Sequence, residues 1–458
     1  MENKRIDFYG GAAGPWISMI LLVIGMVIAV LFNYTDFWVY NLLMLGAVVI
    51  CFLLVKQKKQ FGDVAIRGLQ DSMLSILIIA FMLAGILSKL LRGSGLVEAL
   101  VWLSGEMNLD AGFIPVIAFL VCVLISTSCG TSSGSIVAVL PVMLPIGIQL
   151  GCDASLLTGA VISGALFGDN LAPISDTTIA SALTQESKIN DVVRTGLPYS
   201  LIAGGISAVL FIIFGKLTSQ DVSTTIDTAT AEPKALLLLL VPVLMIIMMR
   251  KGWDLGGTLI VCDLLAVVIN LALGLISPAV MFSGDGPIVN GMNGMIDIII
   301  FCFFLFIVIQ TIKECGALER LGEALLKHCK SARSVELIIM ISSALGTIVT
   351  AGSSTGILFA GPIANKIAKE YDLAGTRAAN ILDATACATC GFVPICTPYL
   401  LSLSIGPEIE GIPDDYSYLS IIKWVFHPIF LVLVFLISIF TGVGRKFEKR
   451  SGESSHEA

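Results

Sequence analysis

The chain of 458 residues has little charge and little histidine. Only 13% of its residues are Asp, Glu, Lys or Arg, whereas 56% are hydrophobic. Its three histidines, His328, His427 and His456, are far apart in the sequence, and no H-E-x-x-H motif occurs. The pattern G-x-S-x-G occurs at residues 130–134 and 352–356, but a serine nucleophile needs a base beside it. The composition therefore predicts that the chain is not an enzyme.

The eleven cysteines are better explained by packing than by redox or metal chemistry. Most of them lie inside apolar runs, where cysteine acts as a small apolar packing residue. Cys387 and Cys390 match C-x-x-C, but no soluble βαβ pattern surrounds this pair. We therefore expect neither redox chemistry nor a bound metal at these two thiols.

Long uncharged runs are the dominant feature of the chain. Several of them are long enough to cross about 30 Å of hydrocarbon as helices of about 20 residues. The first run has no small-residue cleavage site and is followed at once by further apolar runs, so we expect a retained helix rather than a signal peptide. The predicted spans are 15–32, 38–55, 71–91, 155–183 (broken), 197–216, 235–250, 255–276, 292–311, 376–404 (broken) and 421–443, with returning segments at 113–149 and 335–370.

The distribution of charge predicts which loops face the cytoplasm. Lys and Arg concentrate near the N-terminus, in the loop around 56–67 and in the C-terminal tail, whereas acids dominate the loops around 221–232 and 408–415. Cytoplasmic loops of membrane proteins carry an excess of Lys and Arg, so we expect a plasma-membrane protein with both termini in the cytoplasm. The predicted organisation is a cytoplasmic N-terminus (1–14), a first membrane repeat (15–216), an extracytoplasmic linker (217–234), a second membrane repeat (235–443) and a cytoplasmic, disordered tail (444–458).

The chain repeats itself at an offset of 221 residues. Pro141 corresponds to Pro362 (362 − 141 = 221), and Pro173 corresponds to Pro394 (394 − 173 = 221). Five crossings per half would insert the two copies into the membrane with opposite orientations. The predicted fold is therefore an all-α polytopic membrane protein, an inverted repeat of two five-span halves, each with a re-entrant hairpin and a broken helix.

Each half contains two polar stretches that an ordinary membrane helix does not tolerate. They cover residues 126–135 and 168–178 in the first half, and 346–356 and 383–398 in the second. Gly and Pro end helices there, and non-helical backbone at membrane depth needs protein or trapped water around it. Freed carbonyls and Ser, Thr and Asn oxygens suit a hard cation such as Na⁺, whereas half-helix N-termini favour an anion. The competing explanation, tight contact between small residues, is weakened by the four matched stretches.

Three acids in these stretches carry the predicted chemistry. Asp169, Asp176 and Asp383 lie in apolar surroundings, where a carboxylate is costly unless it is paired, bound to a cation or protonated. Na⁺ and H⁺ are then expected to compete for the same carboxylate, and the alternative role for each acid is to stabilise a break. The two copies differ, because Asp169 aligns with Cys390.

The candidate site residues follow from these stretches. We expect Na⁺ at Asp169 with oxygens from Asn170 and the first hairpin tip, and a matching site formed by Asp383 with its neighbours Thr385 and Thr389. The expected Na⁺ ligands are thus Asp169, Asn170 and Asp383. Asp263 lies in another apolar run outside the motifs, and a structural or interfacial role is favoured for it. The candidate cation- or substrate-binding residues are Thr131, Ser132, Ser133, Asp169, Asn170, Ser175, Asp176, Thr177, Ser353, Ser354, Thr355, Asp383, Thr385, Thr389 and Thr397.

The stretch 168–178, Gly-Asp-Asn-Leu-Ala-Pro-Ile-Ser-Asp-Thr-Thr, resembles the signature of the NhaC family of sodium/proton antiporters. The likeness covers about residues 15–443. It implies a scaffold domain beside a transport domain, an elevator-like movement, usually in a homodimer, and exchange of Na⁺ against H⁺. Some relatives instead couple Na⁺ or H⁺ to an organic solute, such as an amino acid, or exchange malate for lactate.

The predicted function is therefore secondary active Na⁺/H⁺ antiport by alternating access. No Lys or Arg lies in the middle of the four breaks, which favours a small cation over an organic anion, and Arg377 is better explained as an interface anchor than as a carboxylate partner. Coupled transport of an amino acid, or malate/lactate exchange, stays the alternative, and a channel fits an inverted repeat poorly. The expected partners are the lipid bilayer, a small cation or small organic solute and a second copy of the chain, with no nucleic acid and no cofactor beyond the transported or coupling ions Na⁺ and H⁺.

Overall fold

The structure is a computed structural model that describes residues 6–11, 14–31, 37–96, 98–99, 110–173, 175–220, 232–251, 253–316, 331–409 and 411–448. Over these residues the fold is helical, and extended backbone pairs only in two isolated bridges, Phe8 with Val55 and Leu373 with Phe447. Most of the predicted linker, His328 and the end of the predicted tail lie outside the described residues.

The helices of the first half follow the predicted apolar runs closely. They are α1 (Gly14–Leu31), α2 (Phe37–Leu54), α3 (Phe61–Leu69), α4 (Ser72–Gly93), α5 (Ile114–Cys129), α6 (Ser132–Gln149), α7 (Ala154–Leu171), α8 (Asp176–Thr184) and α9 (Ile189–Thr218), with 3₁₀ turns at Lys58–Gln60 and Ala111–Phe113. The sequence analysis missed α3, because this helix is short and amphipathic, with Phe61 and Val64 buried and charged residues on its other face.

The second half continues with α10 (Leu240–Arg250), α11 (Leu255–Ala272), α12 (Pro278–Met281), α13 (Pro287–Asn293), α14 (Ile296–Glu314), α15 (Ala332–Thr350), α16 (Ser353–Glu370), α17 (Gly375–Cys390), α18 (Thr397–Ile405), α19 (Tyr418–Ile422) and α20 (Phe426–Thr441), with 3₁₀ turns at Pro233–Leu239 and Gly406–Glu408. Helix starts recur at the offset of the sequence repeat: α16 matches α6 (353 − 132 = 221) and α18 matches α8 (397 − 176 = 221). The repeat is therefore also a repeat of helix boundaries.

Much of the helical surface is apolar. Seven helical stretches of the described chain are long and apolar enough to cross a membrane, namely Leu74–Gly93, Ser132–Gln149, Ala154–Thr184, Ile189–Thr218, Leu255–Ala272, Pro287–Glu314 and Ala332–Thr350. Large side chains such as Leu124, Leu264 and Ile437 are exposed by 69%, 60% and 62%. An exposed apolar surface of this kind fits contact with lipid and not with water.

The two halves interlock at their broken helices. α8 of the first half packs against α16 and α17 of the second, and α18 of the second half packs against α6 of the first. The side chain of Gln185, just after α8, donates from Nε2 to the carbonyl of Gly361 in α16 (2.9 Å). Because the short helix after each break packs against the other half, the polar stretches of both halves lie together.

α5 and α7 approach closely because glycine lies between them. A Cβ added at Gly168 would lie 2.5 Å from the Cβ of Ser126 and 2.6 Å from the backbone nitrogen of Thr127. The hydroxyl of Ser126 donates to the carbonyl of Ala165 in α7 (2.6 Å). The hairpin of α5 and α6 is thereby fixed against the helix that carries Asp169.

Residues 444–448 correct the prediction of a disordered tail. The N–H of Ala374, which precedes α17, donates to the carbonyl of Lys446 (2.9 Å). The Arg445 guanidinium binds the buried carboxylate of Glu336 in α15, with 2.5 Å between Nη2 and Oε2. The prediction was wrong for these residues because the sequence does not reveal that a buried carboxylate partner lies beside them.

Candidate functional site

The first hairpin tip is a tight turn between α5 and α6. Gly130 has a φ of 69°, a left-handed conformation that glycine adopts without strain, and its N–H donates to the carbonyl of Ser126 (2.8 Å). Thr131 is extended, and α6 begins at Ser132, which is buried. The turn therefore directs the N-terminus of α6, with Ser132 and Ser133 as its first residues, toward the interior.

The break between α7 and α8 holds a buried acid against this tip. Asp169, in the last turn of α7, is 5% exposed, and its Oδ1 accepts a hydrogen bond from the Ser175 hydroxyl (2.6 Å). Ser132 presents its hydroxyl and its backbone N–H to the same carboxylate. Since the N-terminus of α6 is the positive end of that helix dipole, the Asp169 carboxylate lies in a favourable field. Asp176 begins α8 at the other side of the break.

The second half repeats this arrangement with different side chains. Ala351 makes the left-handed turn (φ 53°), and α16 begins at Ser353. α17 ends at Cys390, whose thiol faces both Ser353 and the Cys396 thiol. Thiols therefore stand in the second copy where the first copy has a carboxylate and a hydroxyl.

Both tips and both breaks line one small cavity of about 70 Å³. Because a cavity of about 10–15 Å³ already holds one water molecule, this cavity has room for a cation together with a few waters. None of its described lining residues is Lys or Arg. The lining consists of Gly130, Thr131, Ser132, Ser133, Asp169, Asp176, Gly352, Ser353, Ser354, Cys390, Thr397 and Pro398.

The potential ligand atoms at the cavity are mainly oxygens. Within the described part of the chain, no group of three or more His, Cys, Asp or Glu side chains is placed to hold a metal ion. Two carboxylates and several hydroxyls, beside the freed backbone of two breaks, face the cavity instead. Such oxygen-rich, weakly charged surroundings suit a monovalent hard cation better than a transition metal.

Most of the candidate residues come together here. The cavity wall includes Thr131, Ser132, Ser133, Asp169, Asp176, Ser353, Ser354 and Thr397. Ser175 contacts Asp169 directly, and the Thr177 hydroxyl lies 2.9 Å from that of Ser175. Seen from the cavity, Ser175 therefore lies behind the Asp169 carboxylate, and Thr177 lies behind Ser175.

Other candidates do not line the described cavity. The Oδ1 atom of Asn170 accepts a hydrogen bond from Ser200 of α9 (2.6 Å). Thr355 donates to the carbonyl of Gly352 (3.1 Å), and Thr389 donates to the carbonyl of Thr385 within α17 (2.7 Å). None of these candidates lines the described cavity, and the roles predicted for Asn170 at the Asp169 site and for Thr385 and Thr389 at the Asp383 site stay predictions.

Asp383 lies near the cavity but not on its wall. Its carboxylate accepts hydrogen bonds from the Thr178 hydroxyl of α8 (3.0 Å) and from the Cys387 thiol (3.5 Å). Asp383 therefore joins the two halves, although the sequence analysis expected its partners among its own neighbours. Asp263, in α11, is 8% exposed, lies outside the cavity, and neither carboxylate oxygen has a hydrogen-bond partner among the described residues.

Two thiols at the cavity were missed by the sequence analysis, which assigned cysteines to packing. Cys390 is on the wall and Cys396 contacts it. The repeat could have predicted their position at the site, because Asp169 aligns with Cys390 (390 − 169 = 221) and Ser175 aligns with Cys396 (396 − 175 = 221).

Comparison with known proteins supports the resemblance drawn from residues 168–178. A family model described as "Na+/H+ antiporter family" matches residues 11–216 and 221–410. An arginine/ornithine antiporter, ArcD, of Halobacterium salinarum is 24% identical over 392 residues, which cover 80% of this chain and 78% of the relative. A Na⁺/H⁺ antiporter, NhaC, of Alkalihalophilus pseudofirmus is 25% identical over 55% of this chain and 56% of the relative. A malate-2H⁺/Na⁺-lactate antiporter of Bacillus subtilis is 26% identical over 44% of each chain.

Proposed function

This chain belongs to the Na⁺/H⁺ antiporter family, and we propose that it exchanges Na⁺ against H⁺ at Asp169 by alternating access. One observation carries the proposal: a buried carboxylate faces a small cavity that both hairpin tips and both helix breaks enclose. The serine hydroxyls at 132 and 175 lie against this carboxylate. Hydroxyl and carbonyl oxygens complete the coordination of a hard cation that a single carboxylate leaves unfinished.

The burial of Asp169 explains why transport would be coupled. A carboxylate that releases Na⁺ at 5% exposure is left as an unpaired buried charge, which costs several kcal/mol. Taking up a proton removes this cost. The site therefore changes its orientation toward either side only when it holds Na⁺ or H⁺, and exchange of the two ions follows.

The repeat supplies the architecture of the proposal. The two halves cross the membrane in opposite orientations, α5–α6 and α15–α16 act as re-entrant hairpins, and α7–α8 and α17–α18 are the broken helices. Matched helix starts and left-handed turns at Gly130 and Ala351 support this arrangement. The protein acts as a homodimer in the plasma membrane, with both termini in the cytoplasm and with an elevator-like movement of the part that carries the cavity.

Coupled transport of an organic solute is the second candidate. Two relatives are named for arginine/ornithine exchange and for malate/lactate exchange. A second cavity of about 330 Å³ is lined by side chains of both signs, including Lys89, Arg92, Glu98 and Asp285. Groups of both signs suit a zwitterion such as an amino acid. The cavity at Asp169, at about 70 Å³, is much the smaller of the two and favours the cation.

Purified protein in proteoliposomes separates the two candidates. An imposed Na⁺ gradient should move protons in the opposite direction, followed with a pH-sensitive dye inside the vesicles, with no added solute. Arginine, ornithine, malate and lactate are then added one at a time. Proton movement that occurs only after one of these solutes is added would contradict simple Na⁺/H⁺ exchange and support the second candidate.

A further inference from the structure

Two copies of one three-residue arrangement lie at the cavity, each with two members on its wall. In the first copy the Asp169 carboxylate faces Ser132 and Ser175. In the second copy the Cys390 thiol faces Ser353 and Cys396. Each member of the second copy lies 221 residues after its counterpart in the first (353 − 132, 390 − 169 and 396 − 175). We call the two sets the oxygen half-site (Ser132, Asp169, Ser175) and the sulfur half-site (Ser353, Cys390, Cys396).

The sulfur half-site matches the oxygen half-site in position, but it lacks the charged oxygen ligand that Na⁺ needs. A neutral thiol carries no charge, and sulfur is a soft ligand that binds Na⁺ poorly. The next position repeats the difference, because Asp176 in the first copy is replaced by Thr397 in the second, and both line the cavity (397 − 176 = 221). Among the described lining residues, the acids Asp169 and Asp176 both belong to the first copy.

Burial strengthens this asymmetry. Cys390 is 4% exposed and Cys396 is fully buried. The two thiols occupy the positions at which the first copy has its carboxylate and hydroxyl, with Cys390 on the cavity wall. Asp383 is another acid near the cavity, but Thr178 and Cys387 already bind its carboxylate and it does not line the described wall.

We propose that this chain binds a single Na⁺, in the oxygen half-site, and that Cys390 and Cys396 are the residues that exclude a second Na⁺ from the sulfur half-site. The proposal rests on the proposed function, because it assigns Na⁺ to the cavity. It adds the number of bound cations and the residues that determine it.

Equilibrium binding of radioactive ²²Na⁺ to the purified full chain in detergent tests the proposal. The unmodified protein should bind one Na⁺ per chain, with a Hill coefficient of about 1. Asp169→Asn should lose this binding. Adding Cys390→Asp and Cys396→Ser to Asp169→Asn moves the carboxylate–hydroxyl pair to the second copy and should restore binding of one Na⁺ per chain.

Two further variants separate charge from polarity. Cys390→Asp with Cys396→Ser, in the presence of native Asp169, should bind two Na⁺ per chain. Cys390→Ser with Cys396→Ser is the matched control, because it replaces the same thiols without adding charge, and it should still bind one. Size-exclusion chromatography and thermal unfolding show which variants are folded.

The outcomes that would overturn the proposal are distinct from failure of the proposed function. Two Na⁺ per unmodified chain, or a second Na⁺ in the double-serine variant, would overturn it even if the aspartate variants did not fold. A folded triple variant that binds no Na⁺ would also overturn it. If the unmodified chain bound no Na⁺ at all, the proposed function would be refuted. The inference would then fail as well, because it rests on that function.

Discussion

The buried charge network at the start of α17 allows a quantitative test of the fold. The carboxylate of Glu336 is fully buried and accepts hydrogen bonds from Arg377 Nε (2.8 Å) and from Arg445 Nε (2.9 Å). Arg377 is itself 3% exposed, and its guanidinium also donates to the Tyr199 hydroxyl (3.1 Å). Glu336→Gln keeps the shape of the side chain and removes its charge. The Arg377 cation is then buried without a counter-charge, so the free energy of unfolding should fall by about 3–5 kcal/mol.

The same substitution elsewhere in the chain provides the control. Glu314 also binds an arginine through both oxygens, with 2.6 Å to Arg67 Nε and 2.7 Å to Nη2, but Arg67 is 49% exposed. Glu314 itself is only 12% exposed, but solvent at the Arg67 end screens the pair, so Glu314→Gln should cost about 1 kcal/mol. Unfolding of both variants by sodium dodecyl sulfate in mixed micelles, followed by tryptophan fluorescence, measures the difference. Equal losses below about 1 kcal/mol for the two variants would refute the argument from burial.

Three further predictions concern the packing of the helix that carries Asp169 and the binding of Na⁺ to this residue. Gly168→Ala should destabilise the protein by about 1–3 kcal/mol, because the new methyl group meets α5, whereas Gly205→Ala, with open space around it, should be neutral or slightly stabilising in the same unfolding assay. Ser175→Ala should weaken Na⁺ binding about tenfold, since a hydrogen bond to a charged group contributes about 1.5 kcal/mol, and Ser175→Thr, which keeps the hydroxyl, should bind nearly as the native protein does. The apparent dissociation constant for Na⁺ should rise about tenfold for each unit by which the pH is lowered, over the range in which Asp169 is mostly protonated, because one proton competes with Na⁺ for one carboxylate. A ²²Na⁺ affinity that does not change with pH would contradict that competition.

Much of the fold follows from the sequence because its causes are local. Apolar run length determines where helices lie, and Gly and Pro at 130 and 173 mark where they stop. The duplicated spacing predicts matching helix starts in the second half, which the structure contains. α3 is short and amphipathic, so an analysis based on long apolar runs could not find it.

The parts of the site that could not be predicted depend on contacts between distant segments. Asn170 is next to Asp169 in sequence, yet its amide oxygen binds Ser200 on another helix. Asp383 finds its hydroxyl partner, Thr178, in the other half of the chain because α8 packs across onto α17. Cys390 lies in the polar stretch 383–398, but a cysteine there gives no sign that its thiol faces the cavity; the alignment of the two repeats does.

The most direct test of the central claim compares two buried aspartates in the same transport assay. Asp169 lines the cavity, whereas Asp263 is similarly buried but lies outside it. In proteoliposomes with an imposed Na⁺ gradient, Asp169→Asn should abolish Na⁺-driven proton movement while the protein stays folded. Asp263→Asn, the same change at a similar depth of burial, should leave most of that movement intact. Proton movement by Asp169→Asn with native Na⁺ affinity and pH dependence would contradict the assignment of Asp169 as the exchanging group.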